Sequence, residues 1–297
     1  MHGSDSCDGT EGSAAARQHP KVFAVIPVHN RVEQTLRCLE ALSAGTVATT
    51  AVVVDDGSTD GTADAVTRRH PGAVLLRGDG DLWWAGATNL GVAHALAHGA
   101  DFVLTLNNDG VLASAAVEAL LESTDVESRG LRSATRRDLA PPGDVVSVGV
   151  EFDWGGRRGW RNVPLEGEEP IPVDACGANA LLVPRRCFEE IGLFDAERFP
   201  QCWADWDFEL RARAAGWSLH TVPRSVVYED RSTTGPRLIP RMSLRQAARL
   251  LLSRRSPWYV PGQVRFFRRH APRRRVPALL LWRCQRLAKA MVRYHLR

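Results

Sequence analysis

Two kinds of charged residue are scarce in parts of this 297-residue chain. Lysine occurs only at Lys21 and Lys289, so arginine supplies nearly all of the positive charge. Asp and Glu are missing from residues 231–297, which hold 18 of the 38 Lys and Arg. The other 20 basic residues face all 34 acidic ones within residues 1–230, a net charge of −14. An acidic body with a basic extension indicates contact with a membrane surface or another polyanion.

Other absences narrow the class of protein. None of the six cysteines forms a C-x-x-C pair, and no Cys/His cluster has the spacing of a zinc site, so reduced cytosolic thiols are expected. No apolar run approaches the ~20 residues of a membrane-spanning helix. Residues 1–20 lack the apolar core of a signal peptide and are predicted to form a disordered tail. We expect a cytoplasmic protein that is either soluble or peripheral on the inner face of the membrane.

The order of apolar segments predicts the fold. Short apolar runs, typical of buried strands, alternate with helical patterns between residues 21 and 106. The expected strands are 22–27, 51–54, 73–76 and 102–106, and the expected helices are 32–44, one from about 62, and 86–98. This alternation predicts an α/β fold with a mostly parallel sheet flanked by helices. The chemistry of such sheets lies at the carboxyl ends of the strands.

The remainder of the body is less regular. Segment 125–172 is rich in Arg, Pro and Gly and is interpreted as loops and antiparallel edge strands over the acceptor side, with a strand at 145–150. Regular structure is expected again as a strand near 180–183, a helix at 205–215 and a strand at 218–228. The resulting domain prediction is a body at 21–230 followed by a basic helical extension at 231–297.

Acidic and amide side chains follow two of the predicted strands. Asp55 and Asp56 precede Gly57, and their carboxylates are suited to a nucleobase imide or ribose hydroxyls, although helix caps often look the same. Asn107-Asn108-Asp109 contains one carboxylate suited to a divalent ion that bridges a diphosphate, or it is an ordinary turn.

Two further segments carry possible chemistry. Trp83 and Trp84 precede Gly86 at a helix start, which suits a ring-stacking wall beside an anion-binding helix terminus, or both indoles pack in the core. In the run Asp205-Trp206-Asp207-Phe208-Glu209, Asp205 begins a helix and is placed to face a cavity as a general base, while Asp207 can pair with Arg211. A helix cap with ordinary salt bridges is the alternative.

Taken together, the motifs resemble family 2 glycosyltransferases with the GT-A fold. The similarity runs through residues 21–230. It comprises Val25-Ile26-Pro27-Val28-His29-Asn30-Arg31, Val53-Val54-Asp55-Asp56-Gly57-Ser58, Asn89-Leu90-Gly91, Leu104-Thr105-Leu106-Asn107-Asn108-Asp109, and Gly192-Leu193-Phe194-Asp195 followed by Asp205-Trp206-Asp207. The tryptophan-containing segment is most similar to bacterial rhamnosyltransferases. The resemblance implies an inverting hexosyl-type transferase that moves a sugar from a nucleoside-diphosphate sugar, UDP- or dTDP-linked, to an acceptor hydroxyl in cell-surface glycan or glycosylated metabolite synthesis.

The resemblance also implies roles for matching residues. Asp205 is the implied general base, and Asp109, helped by Asn107, is the implied ligand of Mg²⁺ or Mn²⁺. The implied nucleotide-binding residues are Pro27, Asn30, Asp55, Asp56, Asn89 and Asn108. The implied donor and acceptor pocket includes Trp83, Trp84, Gly86 and Asp207. The acceptor is expected to be lipid-linked or a small molecule.

Three departures from the family pattern are visible. Asn107-Asn108-Asp109 replaces the usual Asp-x-Asp, so the metal is expected to be weakly held. Ala204 stands where relatives often have Glu, and Glu229 stands where many carry a His near the diphosphate. The depleted metal motif leaves open a non-catalytic protein that binds nucleotide sugars at the membrane.

The extension is predicted to be helical and basic. Its last segment combines an apolar stripe (Leu280, Cys284, Leu287, Met291, Tyr294) with a basic face that includes Arg283, Arg286 and Lys289. Such a helix suits an anionic membrane surface, or its stripe docks on the body. No nucleic-acid-reading motif is present, and no nucleic-acid partner is expected.

Overall fold

The computed structural model describes residues 20–156, 158–230, 249–254 and 256–295, with side chains up to Lys289. The predicted tail at 1–20, apart from Pro20, and residues 231–248 of the extension lie outside the described residues. The helices are α1 (Val32–Ser43), α2 (Thr62–Arg69), α3 (Trp83–Ala97), α4 (Ala116–Glu122), α5 (Arg185–Ile191), α6 (Ala204–Ala214), α7 (Val260–His270) and α8 (Val276–His295). Residues 249–252 are also helical.

The strands follow the predicted alternation through the first half of the chain. They are β1 (Val22–Val28), β2 (Thr49–Asp55), β3 (Val74–Arg77), β4 (Phe102–Thr105), β5 (Gly110–Leu112), β6 (Gly130–Asp138), β7 (Val145–Ser147), β8 (Val150–Phe152), β9 (Trp160–Asn162), β10 (Ile171–Pro172), β11 (Leu181–Pro184) and β12 (Ser218–Glu229). The predicted α/β class and its flanking helices are confirmed.

The main sheet of the described residues has ten strands. Eight of them follow the order β10-β12-β6-β11-β4-β1-β2-β3, while β5 pairs with β12 and β7 pairs with β6. Strands β3, β2, β1 and β4 are mutually parallel, so their carboxyl ends lie at one edge. Val28, the last residue of β1, is paired in register with Asp55, the last of β2. This register brings the predicted polar loops together at that edge.

Alternation along β1 explains why its whole run is apolar. Phe23 and Val25 face one core cluster, whereas Val22, Ala24 and Ile26 face the other, and all five side chains are buried. Successive residues of a strand point to opposite faces, so a strand covered on both sides needs apolar residues throughout.

One sequence interpretation is wrong. Within segment 125–172, read as loops and edge strands, residues 130–138 form β6, which lies inside the sheet between β11 and β12. The sequence did not indicate this strand because it contains Arg132, Arg136 and Arg137, and several arginines in a short segment are typical of a solvated loop. Their charges are accommodated by distant partners; Glu229 on β12, for example, pairs with Arg136.

The described part of the extension is helical, as predicted, and packs on the body. Phe266, Phe267 and Leu279 are buried in the same cluster as Trp203 and Phe208. The stripe and the basic face were each misassigned at one position: Cys284 is exposed, and Arg283 is buried. Leu287 is buried as the stripe requires and Leu280 is partly buried, while the side chains of Met291 and Tyr294 lie outside the described set. None of the helices in the described segments combines the length and apolarity needed to cross a membrane.

Candidate active site

A cleft of about 400 Å³ opens at the carboxyl edge of the parallel strands. It lies where the loops after β1, β2 and β4 meet the start of α3. Seven of the residues singled out in the sequence line it: Pro27, Asp56, Trp83, Trp84, Asn107, Asn108 and Asp109. His29, Arg31 and Gln201 also contribute to its wall. The cleft therefore combines indole faces with amide, carboxylate and guanidinium groups.

Asp56 organises one wall of this cleft. Its buried carboxylate accepts backbone N–H bonds from Gly80 (2.8 Å), Leu82 (3.3 Å) and Trp83 (2.9 Å). The backbone carbonyl of Asp56 also lies 2.6 Å from Nδ1 of His29. A carboxylate that satisfies three N–H groups fixes the turn before α3 and, with it, the position of both indoles.

Asp55 and Asn30 lie beside the cleft and join its loops. The Asp55 carboxylate is buried and accepts the backbone N–H of Ser58 at 2.9 Å. Asn30 accepts the N–H of Thr59 at 2.9 Å through its side chain, and its own N–H binds Ser58 Oγ at 2.7 Å. Neither residue lines the cleft as it stands, so their contacts tie the β1 loop to the β2 loop.

Trp84 connects the indole wall to the loop after β4. Its Nε1 donates to Oδ1 of Asn107 at 3.0 Å, and its ring packs edge-on against Phe194. The backbone N–H of Asn107 donates to Oδ1 of Asn179 at 3.1 Å. Asn108 donates to the hydroxyl of Thr35. The loop 107–109 is thus held by α3, by α1 and by the segment just before β11.

Asp109 is the carboxylate of the triplet and faces the cleft. It lies 3.6 Å from Nη1 of Arg31 and is largely buried. Burial raises the pKa of Asp109, and the negative charge of Glu229 raises it further, while Arg31 opposes both effects. A cation beside this carboxylate would therefore stabilise its ionised form.

The donor set fits a metal only weakly. Within the described residues, no group of three or more His, Cys, Asp or Glu side chains could hold a metal ion. Hard divalent cations take several oxygen ligands, and Asp109 with the Asn107 amide supplies few of them. Diphosphate oxygens and water would have to complete the coordination shell.

A second cleft, of about 210 Å³, adjoins the first and contains Asp205. Trp84, Asn107 and Gln201 line both clefts. Asp205 lies in the first turn of α6, and burial raises the pKa of its carboxyl, while the Trp206 N–H and Arg136 lower it. The arrangement puts a carboxylate of raised basicity next to the indole-walled cleft.

Gly177 allows two charged groups to converge in this second cleft. A Cβ at this position would lie 3.3 Å from Oδ2 of Asp205 and 3.3 Å from Nη1 of Arg136. The φ of Gly177 is +85°, a backbone angle that residues with a side chain rarely adopt. Its conformation therefore favours glycine, and a larger residue would also press on both charged side chains.

Arg136 and Glu229 form a two-pronged ion pair behind this site. Nε and Nη2 of Arg136 donate to the two carboxylate oxygens of Glu229 at 2.6 and 3.0 Å. Asn179 also donates to Glu229, at 2.7 Å. Through Asn179 the pair connects to Asn107, so one hydrogen-bonded chain runs from the Asp205 cleft to the loop after β4.

The chain is similar to a family model and to several known proteins. The model of "Glycosyl transferase family 2" matches residues 23–135. The N-acetylglucosaminyl-diphospho-decaprenol L-rhamnosyltransferase of Mycobacterium tuberculosis is 30% identical over 228 residues, covering 67% of this chain and 73% of the relative. The chain belongs to glycosyltransferase family 2. Galactofuranosyltransferase GlfT1 of the same species is 37% identical over 191 residues, 60% of each chain.

Other similarities are partial or concern the fold alone. The chain spans about half the length of uncharacterized mycobacterial relatives such as Rv1525, which is 30% identical over 155 residues. The crystal structure of GalNAc-T7 with UDP, GalNAc and Mn²⁺ matches with a TM-score of 0.60 and 18% identity, covering 85% of this chain and 50% of that one. S. aureus TarS matches with a TM-score of 0.53 and 14% identity, covering 84% and 43%. The predicted GT-A fold and the family resemblance are confirmed.

Besides Asp55 and Asn30, three further residues expected in the pocket or at the nucleotide line neither cleft. Asp207 is fully buried and lines neither cleft, because its carboxylate is taken up by an ion cluster. Asn89 holds the backbone of Phe194 through two hydrogen bonds, at 2.8 and 3.0 Å. Gly86 lies in α3 and lines neither cleft.

Glu209, one turn after Asp205 on α6, has no counterpart in the sequence predictions for the site. It is buried and accepts the backbone N–H groups of Cys176 (3.1 Å) and Gly177 (3.3 Å). Burial, and then the charge of Asp205, raises the pKa of Glu209 to about 8. Through these two bonds Glu209 holds the Gly177 loop against α6.

Proposed function

We propose that this glycosyltransferase moves a sugar from a nucleoside-diphosphate sugar to an acceptor hydroxyl with inversion at the anomeric carbon. The observation that carries the proposal is the junction of the two clefts at Trp84 and Asn107. One cleft is walled by indoles and polar loops at the edge of a parallel sheet, and the other contains Asp205. A single displacement needs one base on the acceptor side, and Asp205 meets that requirement.

The proposed step is a proton transfer coupled to displacement. The acceptor oxygen attacks the anomeric carbon, its proton passes to a carboxylate oxygen of Asp205, and the bond to the diphosphate breaks. Asp205 begins the step ionised and ends it protonated. Arg31, at the wall of the donor cleft, is placed to offset negative charge on the departing diphosphate.

The nucleotide is proposed to lie along the loops at the carboxyl edge of the sheet. Asp56, Pro27 and Asn108 line that cleft directly, with Trp83 and Trp84 as its stacking wall. Asp55, Asn30 and Asn89 act through the loops and backbone they hold. Asp207 and Gly86 are given no direct contact with substrate.

Asp109, with Asn107, is proposed to hold Mg²⁺ or Mn²⁺ weakly. A bound cation would supply positive charge to the diphosphate. The raised pKa of Asp109 is consistent with a carboxylate that gains from a neighbouring cation. The solved structure of GalNAc-T7 contains Mn²⁺ and UDP, which supports testing that metal and a UDP-sugar first.

The proposed acceptor is lipid-linked or a small molecule, and the product is a cell-surface glycan or a glycosylated metabolite. The support is the printed name of one relative, which includes a diphospho-decaprenol acceptor. The donor nucleotide is proposed to be UDP or dTDP.

A thermal-shift screen tests the donor and the metal together. We expect a UDP- or dTDP-sugar to raise the melting temperature and GDP-sugars to have little effect. A donor present at 100 times its Kd adds about 2.7 kcal/mol to the free energy of unfolding. Mn²⁺ should add to the shift in the wild type but not in Asp109→Asn. An equal shift with and without Mn²⁺ in the wild type would rule out the metal role of Asp109.

Turnover distinguishes the enzyme from the non-catalytic alternative. The same nucleotide sugars are incubated with wild-type protein, and released nucleoside diphosphate is measured with and without a lipid-diphosphate-linked sugar acceptor. Donor binding without release in either condition would favour a binding protein.

The extension is proposed to contact an anionic membrane surface, with the enzyme peripheral on the cytoplasmic side. Its exposed basic residues include Arg265, Arg268, Arg273, Arg274, Arg286 and Lys289. Phe266, Phe267 and Leu287 are buried, so this contact would be electrostatic and would not use those side chains for insertion.

Vesicle flotation tests this contact. We expect binding to vesicles containing anionic lipid, weaker binding to zwitterionic vesicles, and loss at high salt because screening shortens the reach of surface charges. Arg274→Glu should lower binding several-fold, since each basic residue near the surface contributes about 1 kcal/mol. Arg68→Glu, an exposed charge reversal on α2, is the matched control. Equal losses in both variants would mean that net charge, and not this surface, determines binding.

A further inference from the structure

The extension contacts helix α6 on both sides of Asp205. Asp207 lies two residues after it and is bound by residues of α7, while Trp203 lies two residues before it and packs against α7 and α8. The sequence predictions give the extension a membrane surface or docking of its stripe on the body, and neither prediction includes these contacts with the first turn of α6.

The contact after Asp205 is a buried ion cluster. The Asp207 carboxylate is fully buried and accepts hydrogen bonds from Arg211 Nε (3.0 Å), Arg269 Nη1 (3.1 Å) and His270 Nε2 (2.8 Å). Two of these three donors come from the end of α7. Arg269 also donates to Asp195 at 2.7 Å, which joins α7 to the loop after α5. A buried carboxylate needs such partners, because burying an unpaired charge is costly.

The contact before Asp205 is aromatic. Trp203 has a φ of 75°, and α6 begins after it without a side-chain cap. Within α6 its ring meets that of Trp206 edge-on, with the centroids 5.5 Å apart. The ring of Phe266 lies 4.8 Å from the Trp203 ring, between centroids. The guanidinium carbon of Arg283 lies 5.3 Å from the ring centroid of Trp203.

Arg283 is held firmly enough to serve as this contact. It is buried, and its guanidinium also lies over the rings of Trp258 (4.1 Å) and Trp160 (5.3 Å). Nε donates to Gln263 at 3.0 Å, and Nη2 donates to the carbonyl of Pro257 at 2.9 Å. The planar guanidinium can stack and donate at once, which lysine cannot do.

We propose that His270, Arg269 and Arg283 are positioning residues that fix the first turn of α6 and thereby the place of the Asp205 carboxylate. The inference rests on the proposed role of Asp205 as the base. None of the three lines either described cleft, so each acts through Asp207 or Trp203. A displacement of about 1 Å at a reacting group can cost on the order of 100-fold in rate.

The test separates the rate of transfer from donor binding. In His270→Ala, Asp207 keeps Arg211 and Arg269, so the protein should fold. We expect kcat to fall about 10-fold or more, within the range that misplacement produces, and donor Kd by calorimetry to stay within about twofold. His270→Gln, which retains a donor, should recover most of kcat. Arg283→Lys, on the other side of Asp205, should show the same split between kcat and Kd.

Gln285→Ala is the matched control, because Gln285 is an exposed, uncharged residue of α8 two positions from Arg283. We expect it to behave as the wild type. Wild-type kcat in both His270→Ala and Arg283→Lys would overturn the inference, and so would parallel losses of kcat and donor binding. Asp205→Asn separates the two levels of the proposal. If that variant is active, the base is wrong. If it is inactive while His270→Ala and Arg283→Lys are both normal, only the positioning role fails.

Discussion

Asp205→Asn is expected to lower the rate of sugar transfer by about 10²- to 10⁴-fold, the usual contribution of a general base. Asparagine keeps the shape of the side chain and can still accept the Trp206 N–H, but it cannot take the acceptor proton. Donor binding should be nearly unchanged, because Asp205 lines the second cleft and not the first. The measurements are transfer rate and calorimetric binding of the nucleoside diphosphate.

The pH profile gives this prediction a second readout. Burial raises the pKa of Asp205 above the ordinary aspartate value of 3.8, and the base must be ionised to act. Activity in the wild type should therefore be lost as the pH falls through that raised pKa. The residual activity of Asp205→Asn should lack this acidic limb. A variant that keeps both the wild-type rate and the limb would show that another group takes the proton.

Asp207→Asn is the matched control for this variant. It lies on the same helix two residues away, but its carboxylate is buried in the ion cluster with Arg211, Arg269 and His270. We expect it to lower the melting temperature, and also kcat because the cluster positions Asp205, while leaving an acidic limb in the pH profile. If Asp207→Asn also lost the acidic limb, the effect would belong to the helix and not to the Asp205 carboxylate.

The first half of the fold could be predicted because its signals are local. Each parallel strand is a short apolar run, and the residue that ends it is followed at once by a polar loop such as 55–61. Parallel order then places those loops at one edge. The pairing of Asp207 with Arg211 was predicted for the same reason, since residues four apart on a helix are neighbours.

The missed residues depend on contacts between distant parts of the chain. Arg136 is 93 residues from Glu229, and no local pattern marks the two as partners. Arg283 occupied a regular place in a predicted basic face, yet its guanidinium is buried among tryptophans from 160, 203 and 258. From composition alone, such arginines are expected to be solvated. Only the tertiary structure shows which groups stabilise their buried charge.

Arg136→Met is expected to change both stability and the pH profile. Removing Arg136 should cost no more than the ~3–5 kcal/mol of a fully buried pair, because Arg136 is only partly buried and Glu229 keeps the hydrogen bond from Asn179. Arg136 also lowers the pKa of Asp205, so its loss should raise that pKa further. The acidic limb of kcat should then move to higher pH. Thermal unfolding and the pH dependence of kcat measure the two effects separately.

Combining Arg136→Met with Glu229→Gln separates the ion pair from the base. With both charges removed, most of the stability should return, since a buried pair replaced as a unit is often close to neutral. The shift of the acidic limb should persist, because Asp205 still lacks its positive neighbour in the second cleft. Return of the limb to its wild-type position in the double variant would mean that Arg136 affects catalysis only through Glu229. A persistent shift at restored stability would instead assign Arg136 a direct electrostatic effect on the Asp205 carboxylate.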